Sequence, residues 1–129
     1  MQTQITFAVT GWDEKTEFDF GGGRKITRVF AKFKYSGALE GASELEYLMA
    51  YGADEKGRYS GLERVTGALN GQAGTFVVQH SGTFDATGVT NHWQIVEHTG
   101  TGALENLQGS ADVVLVGHGP YEMTLDFSM

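Results

Sequence analysis

One short segment occurs three times along the chain and constrains the fold more than any other feature. The copies are residues 36–41 (SGALEG), 66–71 (TGALNG) and 101–109 (TGALENLQG). Each copy lies between long segments in which apolar and polar residues alternate, as they do in β-strands. Glycine at both ends of a turn supplies the positive φ angles that reverse a strand. The repeat therefore predicts a chain divided into β-hairpins.

The composition favours one β-rich domain over residues 1–129. The chain has 129 residues, of which 40% are hydrophobic, enough for a single core. It contains 19 glycines and one proline, a content that disfavours helical bundles and suits a protein with many turns. Cysteine is absent, which excludes disulfides, thiolate nucleophiles and cysteine-based metal sites.

Alternation with a period of two predicts eight strands. They cover about residues 2–12, 25–36, 43–52, 58–67, 73–84, 89–99, 109–117 and 121–128. A short helical turn is expected within 101–107, because Leu104 and Leu107 are three residues apart. Short connections without crossover helices predict an antiparallel meander, and closing the sheet removes its exposed edges. The predicted fold is all-β, an eight-stranded antiparallel up-and-down β-barrel, with a two-sheet sandwich as the alternative.

The charge and the N-terminus indicate the kinds of partner to expect. A net charge of −7 repels phosphate backbones, so no nucleic-acid partner is expected. The first residues lack the features of a secretory signal, and no later segment has the length of a membrane span. The chain is therefore expected to be soluble and cytoplasmic, without a membrane partner.

Several predicted strands are apolar on both faces, which points to self-association. Leu48 and Ala50 lie opposite the apolar set of their own strand, Val77 lies opposite Phe76, and residues 113–116 form a continuous apolar run. One face can line the interior, but the other then requires cover. A homodimer is predicted, with a trimer as the alternative.

Six further segments, in fixed order, resemble a known family. They are 12–14 (WDE), 22–28 (GGRKITR), 46–51 (EYLMAY), 61–65 (GLERV), 79–84 (QHSGTF) and 100–102 (GTG). The whole chain resembles small bacterial proteins classed as a domain of unknown function with an allene-oxide-cyclase-like barrel. The resemblance implies a calycin-like eight-stranded barrel that self-associates, without an established reaction. True allene oxide cyclases hold a fatty-acid epoxide in an apolar barrel beside a buried glutamate, but none of their motifs occurs here, so no residue role is transferred.

Glu63 and His80 are the candidate catalytic residues. On a regular strand, one of Glu63 and Arg64 points inward and the other outward, and alternation alone leaves open which. His80 shares a predicted inner face with Phe76 and Val78, on the strand next to that of Glu63. A buried carboxylate beside an imidazole can serve as a general acid or base. The alternative is a satisfied structural network without a chemical role.

Four more residues are candidate ligand contacts. Tyr47, Tyr51 and Trp93 would form flat apolar walls, and Arg64 would hold the polar end of a ligand. The alternative is that the aromatic residues are ordinary packing.

No metal ion or cofactor is expected. His92 and His98 are six residues apart, roughly 20 Å along a strand, which is too far to share a metal. The glycine run at 21–23 lacks the spacing of a phosphate-binding loop.

Three functions remain open. The barrel binds a small apolar or amphipathic molecule, or it is a cofactor-free isomerase or cyclase that uses a buried carboxylate, or it is a structural or interaction protein with a filled core. An internal void above about 100–150 Å³ is the minimum for small-ligand binding.

Overall fold

A computed structural model describes every residue of the chain, from Met1 to Met129. It contains eight β-strands and one 3₁₀ helix: β1 Gln2–Gly21, β2 Arg24–Gly37, β3 Leu39–Tyr51, β4 Gly57–Leu69, β5 Gln72–Asp85, β6 Gly88–Ile95, η1 Gly102–Leu104, β7 Gln108–Leu115 and β8 Tyr121–Ser128. The predicted all-β class, the eight strands and the helical turn are confirmed.

The sheet closes on itself. Each strand pairs antiparallel with the next one along the chain, and β1 pairs with β8 from Gln2 opposite Asp126 to Phe7 opposite Tyr121. The closed ring confirms the predicted barrel and excludes the two-sheet sandwich. Alternate residues of the strands face inward, where 23 buried hydrophobic side chains form one continuous core.

The three copies of the repeated segment have different backbone structures. In the first copy Gly37 has a φ of 89° and ends β2. In the second copy β4 continues through Leu69, and the turn falls on Asn70 and Gly71, both with positive φ. The third copy forms η1 rather than a hairpin turn. The prediction that the repeat marks three hairpin turns is therefore wrong for the third copy, and it places the second turn too early.

What the copies share is a buried leucine at one end of the barrel. Leu39, Leu69 and Leu104 are each 0% exposed. Leu39 and Leu69 are paired across β3 and β4, and η1 contributes Leu104 as it packs against β5. With Leu107, which is also buried, these side chains close this end of the barrel.

The wall separates toward the opposite end. β7 and β8 pair only through residues 108–110 with 126–128, although β7 continues to Leu115 and β8 begins at Tyr121. Beyond these three pairs, the rest of β7 and the start of β8 are not paired with each other, although only the turn at 116–120 separates them in sequence. The barrel is therefore a cup, closed by leucines at one end and open at the other.

β1 differs most from its predicted extent. It was expected to end near residue 12, but it continues to Gly21, opposite Arg24 of β2. Register shifts between Val9 and Gly11 and between Thr16 and Phe18 interrupt its alternation. Because these bulges and the polar side chains hide the period of two, the segment has the sequence signature of a loop.

β6 is shorter than predicted and ends at Ile95 rather than near residue 99. The Thr99 hydroxyl accepts from the Val77 amide at 3.0 Å and donates to the Val96 carbonyl at 2.7 Å, so the chain leaves the sheet here. His98 has a φ of 69° and lies outside the strand, so it does not share a strand face with His92.

The outer surface retains apolar side chains. Phe30, Leu48 and Leu62 lie on β2, β3 and β4, and each is about half exposed. Homodimerisation remains a prediction. The one helical element has three residues, and no helix could cross a membrane.

Two glycines on the inner face make room for tyrosine rings. A Cβ on Gly61 would lie 2.6 Å from Cδ1 of Tyr47, and a Cβ on Gly82 would lie 2.6 Å from the Tyr59 hydroxyl oxygen. Either Cβ would also lie within about 2.1 Å of a carbonyl oxygen on the neighbouring strand. Both positions therefore require glycine for steric reasons.

We predict that Gly82→Ala lowers the free energy of unfolding by about 1–3 kcal/mol, because the Tyr59 ring and the β6 backbone must move. Gly11→Ala is the matched control, since its Cβ would meet only Lys32 side-chain atoms at 3.6 Å or more. Urea denaturation followed by circular dichroism measures both. Equal stability of the two variants would show that the position of the Tyr59 ring does not require glycine at residue 82.

Candidate functional site

The centre of the barrel holds a fully buried carboxylate. Glu63 on β4 is 0% exposed. Its Oε2 accepts hydrogen bonds from the hydroxyls of Tyr35, at 2.6 Å, and of Ser43. Its Oε1 lies 2.6 Å from Nε2 of His80 on β5. Three donors from three other strands thus surround one carboxylate, which is the hydrogen-bonding pattern of its ionised form.

The network beyond Glu63 defines the tautomer of His80. The Tyr59 hydroxyl donates to Oδ1 of Asn91 at 2.6 Å, so the amide presents Nδ2 to His80 Nδ1 at 3.1 Å. Nδ1 therefore accepts, and Nε2 carries the proton that is donated to Glu63. The result is a directed series of hydrogen bonds from Tyr59 through Asn91 and His80 to the carboxylate.

Burial and the carboxylate keep the nearby tyrosines neutral. Burial, and then the charge of Glu63, raise the pKa of Tyr35 and of Tyr47 well above the ordinary value. The indole Nε1 of Trp93 donates to the Tyr35 hydroxyl at 3.4 Å. No buried side-chain nitrogen or oxygen is left without a hydrogen-bond partner. The network is complete, as a stable buried polar cluster requires.

A cavity of about 380 Å³ occupies the open end of the barrel, above this network. Eleven of its 14 lining residues are hydrophobic, and the other three are Gly88, Gly117 and His118. The hydrophobic residues are Phe7, Val9, Trp12, Phe33, Tyr47, Met49, Tyr59, Phe84, Val89, Leu115 and Tyr121. The volume exceeds the stated minimum and falls within the range of small-molecule sites.

Tyr47 and Tyr59 belong to both the cavity and the network. Their rings meet edge to face at 5.0 Å between centroids, and the Tyr47 ring also meets the His80 ring at 5.4 Å. The Tyr47 hydroxyl lies 3.5 Å from His80 Nδ1, the longest contact of the network. His80 and Glu63 do not line the cavity, so any communication between cavity and network passes through these two tyrosines.

A second carboxylate lies at the rim. Glu14 of β1 accepts hydrogen bonds from the Tyr51 hydroxyl, from Thr27 Oγ1 at 2.7 Å and from Trp12 Nε1 at 3.2 Å. Burial alone would raise the pKa of Glu14, but these hydrogen bonds and nearby Lys25 outweigh it and lower the pKa. Glu14 thus stays charged while it fixes the extended part of β1 over the mouth of the cup.

The structure brings some of the predicted residues together and separates others. Glu63 points inward and meets His80 directly. Arg64 points outward, is largely exposed and pairs with Glu44 at 2.7 Å, so it does not reach the interior as a ligand contact would. Of the two neighbouring residues that the sequence left open, Glu63 therefore points inward and Arg64 outward.

The three predicted aromatic walls lie at three depths of the barrel. Tyr47 lines the cavity. Tyr51 lies at the rim, with its hydroxyl on Glu14 and its ring 4.9 Å from that of Phe84. Trp93 is fully buried below the network, where it packs against Phe76, so it is core rather than cavity wall.

Sequence reasoning did not single out four members of the network. They are Tyr35, Ser43, Tyr59 and Asn91. A signal existed for Asn91, because it shares the inward parity of Trp93 and Ile95 on β6. A polar residue at an inward position is a candidate for a buried network.

Other candidate sites are weaker. No group of three or more histidine, aspartate or glutamate side chains is arranged to hold a metal ion. A larger concavity of about 1130 Å³ lies against the outer surface of β2–β5, with Lys32, Lys34, Glu44 and Arg64 among its residues. Its side chains are mainly polar and it lies outside the barrel, so it lacks the apolar enclosure of a small-molecule site.

These features define a class of protein: a small closed β-barrel with an apolar cavity at one end and a complete polar network beneath it. The family model described as "Protein of unknown function (DUF3224)" matches residues 3–127, and the chain belongs to this family.

The chain is also similar to a solved structure from the same family. The crystal structure of a protein with unknown function from the DUF3224 family of Shewanella oneidensis MR-1 superimposes with a TM-score of 0.79 and 26% sequence identity. The similarity covers 99% of this chain and 96% of that one. No curated protein matches the chain.

We predict that Glu63→Ala destabilises the protein by about 3–5 kcal/mol, because the donors on Tyr35, Ser43 and His80 lose a shared acceptor in the dry interior. Arg64→Ala, at the next residue of the strand, removes only an exposed ion pair and should cost less than about 1 kcal/mol. Chemical denaturation of both variants tests the difference. A Glu63→Ala variant as stable as Arg64→Ala would mean that the network contributes little to folding.

Proposed function

We propose that the protein binds a small, mostly apolar molecule in the cavity at the open end of its barrel. The cavity itself is the observation that supports this function most directly. It measures about 380 Å³, and eleven of its 14 lining residues are hydrophobic. Small-molecule sites are concave, mainly apolar and furnished with a few placed polar groups.

The division of the interior into layers supports the same function. The side chains of the leucine end and of the core around Trp93 are buried, and the central network has no unsatisfied polar atom. The stability of these layers therefore does not require an empty space at the open end. A protein with a purely structural interior gains stability when such space is filled by side chains. Gly61 and Gly82 instead leave room for the Tyr47 and Tyr59 rings to lie close to the barrel wall, beneath the open space.

Filling the cavity tests the proposal. N-phenyl-1-naphthylamine, an uncharged dye that fluoresces in apolar surroundings, should bind the unmodified protein. Val89 and Leu115 are paired across β6 and β7, and both line the cavity. The double variant Val89→Trp/Leu115→Trp should weaken dye binding at least about 10-fold. The two indole rings would occupy the space that the dye needs, and a 10-fold loss corresponds to only about 1.4 kcal/mol of apolar burial.

The matched control uses the adjacent pair on the outer surface. Thr90 and Val114 are likewise paired across β6 and β7, but both side chains are exposed. Thr90→Trp/Val114→Trp should bind the dye as the unmodified protein does. Equal weakening in both double variants, or no saturable dye binding at all, would contradict the proposed site.

A second candidate function is proton-transfer catalysis of the isomerase or cyclase type. The Glu63–His80 pair supports it, because a carboxylate that accepts from Nε2–H stabilises the imidazolium that forms when Nδ1 exchanges the Asn91 amide for a proton. The Tyr47 hydroxyl, 3.5 Å from Nδ1, connects this base to the cavity.

Exchange of α-protons in D₂O distinguishes this enzyme from a simple binder. If the protein is such an enzyme, it accelerates deuterium uptake at the methyl group of 2-acetylnaphthalene, as measured by NMR. The Glu63→Gln variant should lose this acceleration but still bind the ketone, as measured by equilibrium dialysis. If the bound ketone takes up deuterium no faster than the ketone in buffer alone, the protein binds the ketone without catalysing proton transfer, and the second candidate function is wrong.

A further inference from the structure

The charges around the cavity restrict the class of molecule that it accepts. None of the 14 lining residues is lysine or arginine, and His118 at the rim is the one lining side chain with an ionisable nitrogen. An anionic ligand would therefore meet no fixed positive charge inside the barrel. A buried anion without a partner is strongly unfavourable.

The nearest fixed charge below the cavity is negative. Glu63 lies one layer beneath the floor, and its charge is a cause, after burial, of the raised pKa of the cavity-lining Tyr47. A ligand carboxylate near the Tyr47 hydroxyl would experience the same repulsion. At the rim, the ammonium of Lys25 lies 4.7 Å from the centre of the Tyr51 ring, beside the Glu14 carboxylate that balances it.

The floor also offers one hydrogen-bond donor that is weakly engaged. His80 Nδ1 already receives the Asn91 amide at 3.1 Å, whereas the Tyr47 hydroxyl lies 3.5 Å away from it. Tyr59, the other tyrosine of the floor, donates at 2.6 Å to Asn91. Tyr47 is thus the floor residue whose hydroxyl proton is most readily given to a ligand acceptor.

From these observations we infer that the cavity takes an uncharged molecule whose carbonyl oxygen accepts a hydrogen bond from Tyr47. The inference rests on the proposed binding function and specifies its ligand class. A cationic ligand is disfavoured, because the Glu63 oxygens that would hold it are already occupied by Tyr35, Ser43 and His80 and are separated from the cavity. The apolar body of the ligand would pack between rings such as Phe7 and Phe33.

Four naphthalene probes that differ only in one substituent test the ligand class by equilibrium dialysis at pH 7. They are 2-ethylnaphthalene, 2-acetylnaphthalene, 2-naphthoate and 2-naphthylmethylammonium. We expect the ketone to bind about 5-fold more tightly than the hydrocarbon, the gain of one net hydrogen bond. The carboxylate should bind at least about 10-fold more weakly than the ketone.

Tyr47→Phe then tests the assigned donor. It should reduce ketone affinity to that of the hydrocarbon and leave the hydrocarbon affinity within about twofold of its original value. Tyr51→Phe is the control, because its hydroxyl contacts Glu14 rather than the cavity. It should retain the preference for the ketone. Circular dichroism and thermal melts of both variants confirm that each is folded.

The outcomes separate this inference from the proposed function. Binding of the hydrocarbon without a preference for the ketone, or a preference that survives Tyr47→Phe, overturns the assigned donor and leaves the binding function in place. A carboxylate or ammonium probe that binds more tightly than the ketone overturns the ligand class. Failure of all four probes to bind overturns both.

Discussion

The structure depends on the enclosure of one carboxylate by donors from three other strands. Transfer of a charged group out of water costs several kcal/mol unless hydrogen bonds replace the lost solvent. Glu63 receives them from β2, β3 and β5, and each donor reaches it only if the strands pair in the observed register. A slip of one residue on β4 would place Arg64 inside and Glu63 in water. The buried charge thus favours a single register of the closed sheet.

Each strand contributes to a layered interior, because inward residues recur every second position. On β4 the inward series from the open to the closed end is Tyr59, Gly61, Glu63 and Val65. Successive inward positions of this one strand therefore belong to different layers. Tyr59 forms part of the cavity floor, Gly61 leaves room for a ring, Glu63 carries the buried charge and Val65 belongs to the apolar core. The leucine of the repeated segment completes the series at the closed end, where Leu69 is fully buried.

The sequence allowed much of this arrangement to be predicted, because parity along a strand determines whether a residue faces inward. It placed Glu63 and His80 on neighbouring strands and left open whether Glu63 or Arg64 faces inward, and the structure joins Glu63 to His80. Parity does not determine depth along the barrel, which depends on the stagger between strands. For this reason Tyr51 and Trp93 were grouped with Tyr47, although one lies at the rim and the other in the core.

Features without an apolar signature escaped prediction for a related reason. The far half of β1 is a strand because it pairs with β2 and supplies Glu14 to a polar cluster, not because it buries hydrophobic residues. Asn91 has the inward parity of Trp93 and Ile95, but its side chain is polar, so parity indicates its direction and not its partners. Both are specified by partners distant in sequence, which no local pattern contains.

The placement of Tyr47 determines how a bound molecule would relate to the polar network. His80 and Glu63 are sealed from the cavity by the two tyrosine rings, so a molecule in the cavity meets the acid–base pair only through a hydroxyl. If that hydroxyl only donates a hydrogen bond, the network acts as a rigid support that orients the donor. For catalysis, the hydroxyl would have to take a proton from the bound molecule as it passes its own to Nδ1, and the Asn91 amide would have to release Nδ1. Binder and enzyme therefore differ here in a proton relay through Tyr47 rather than in architecture.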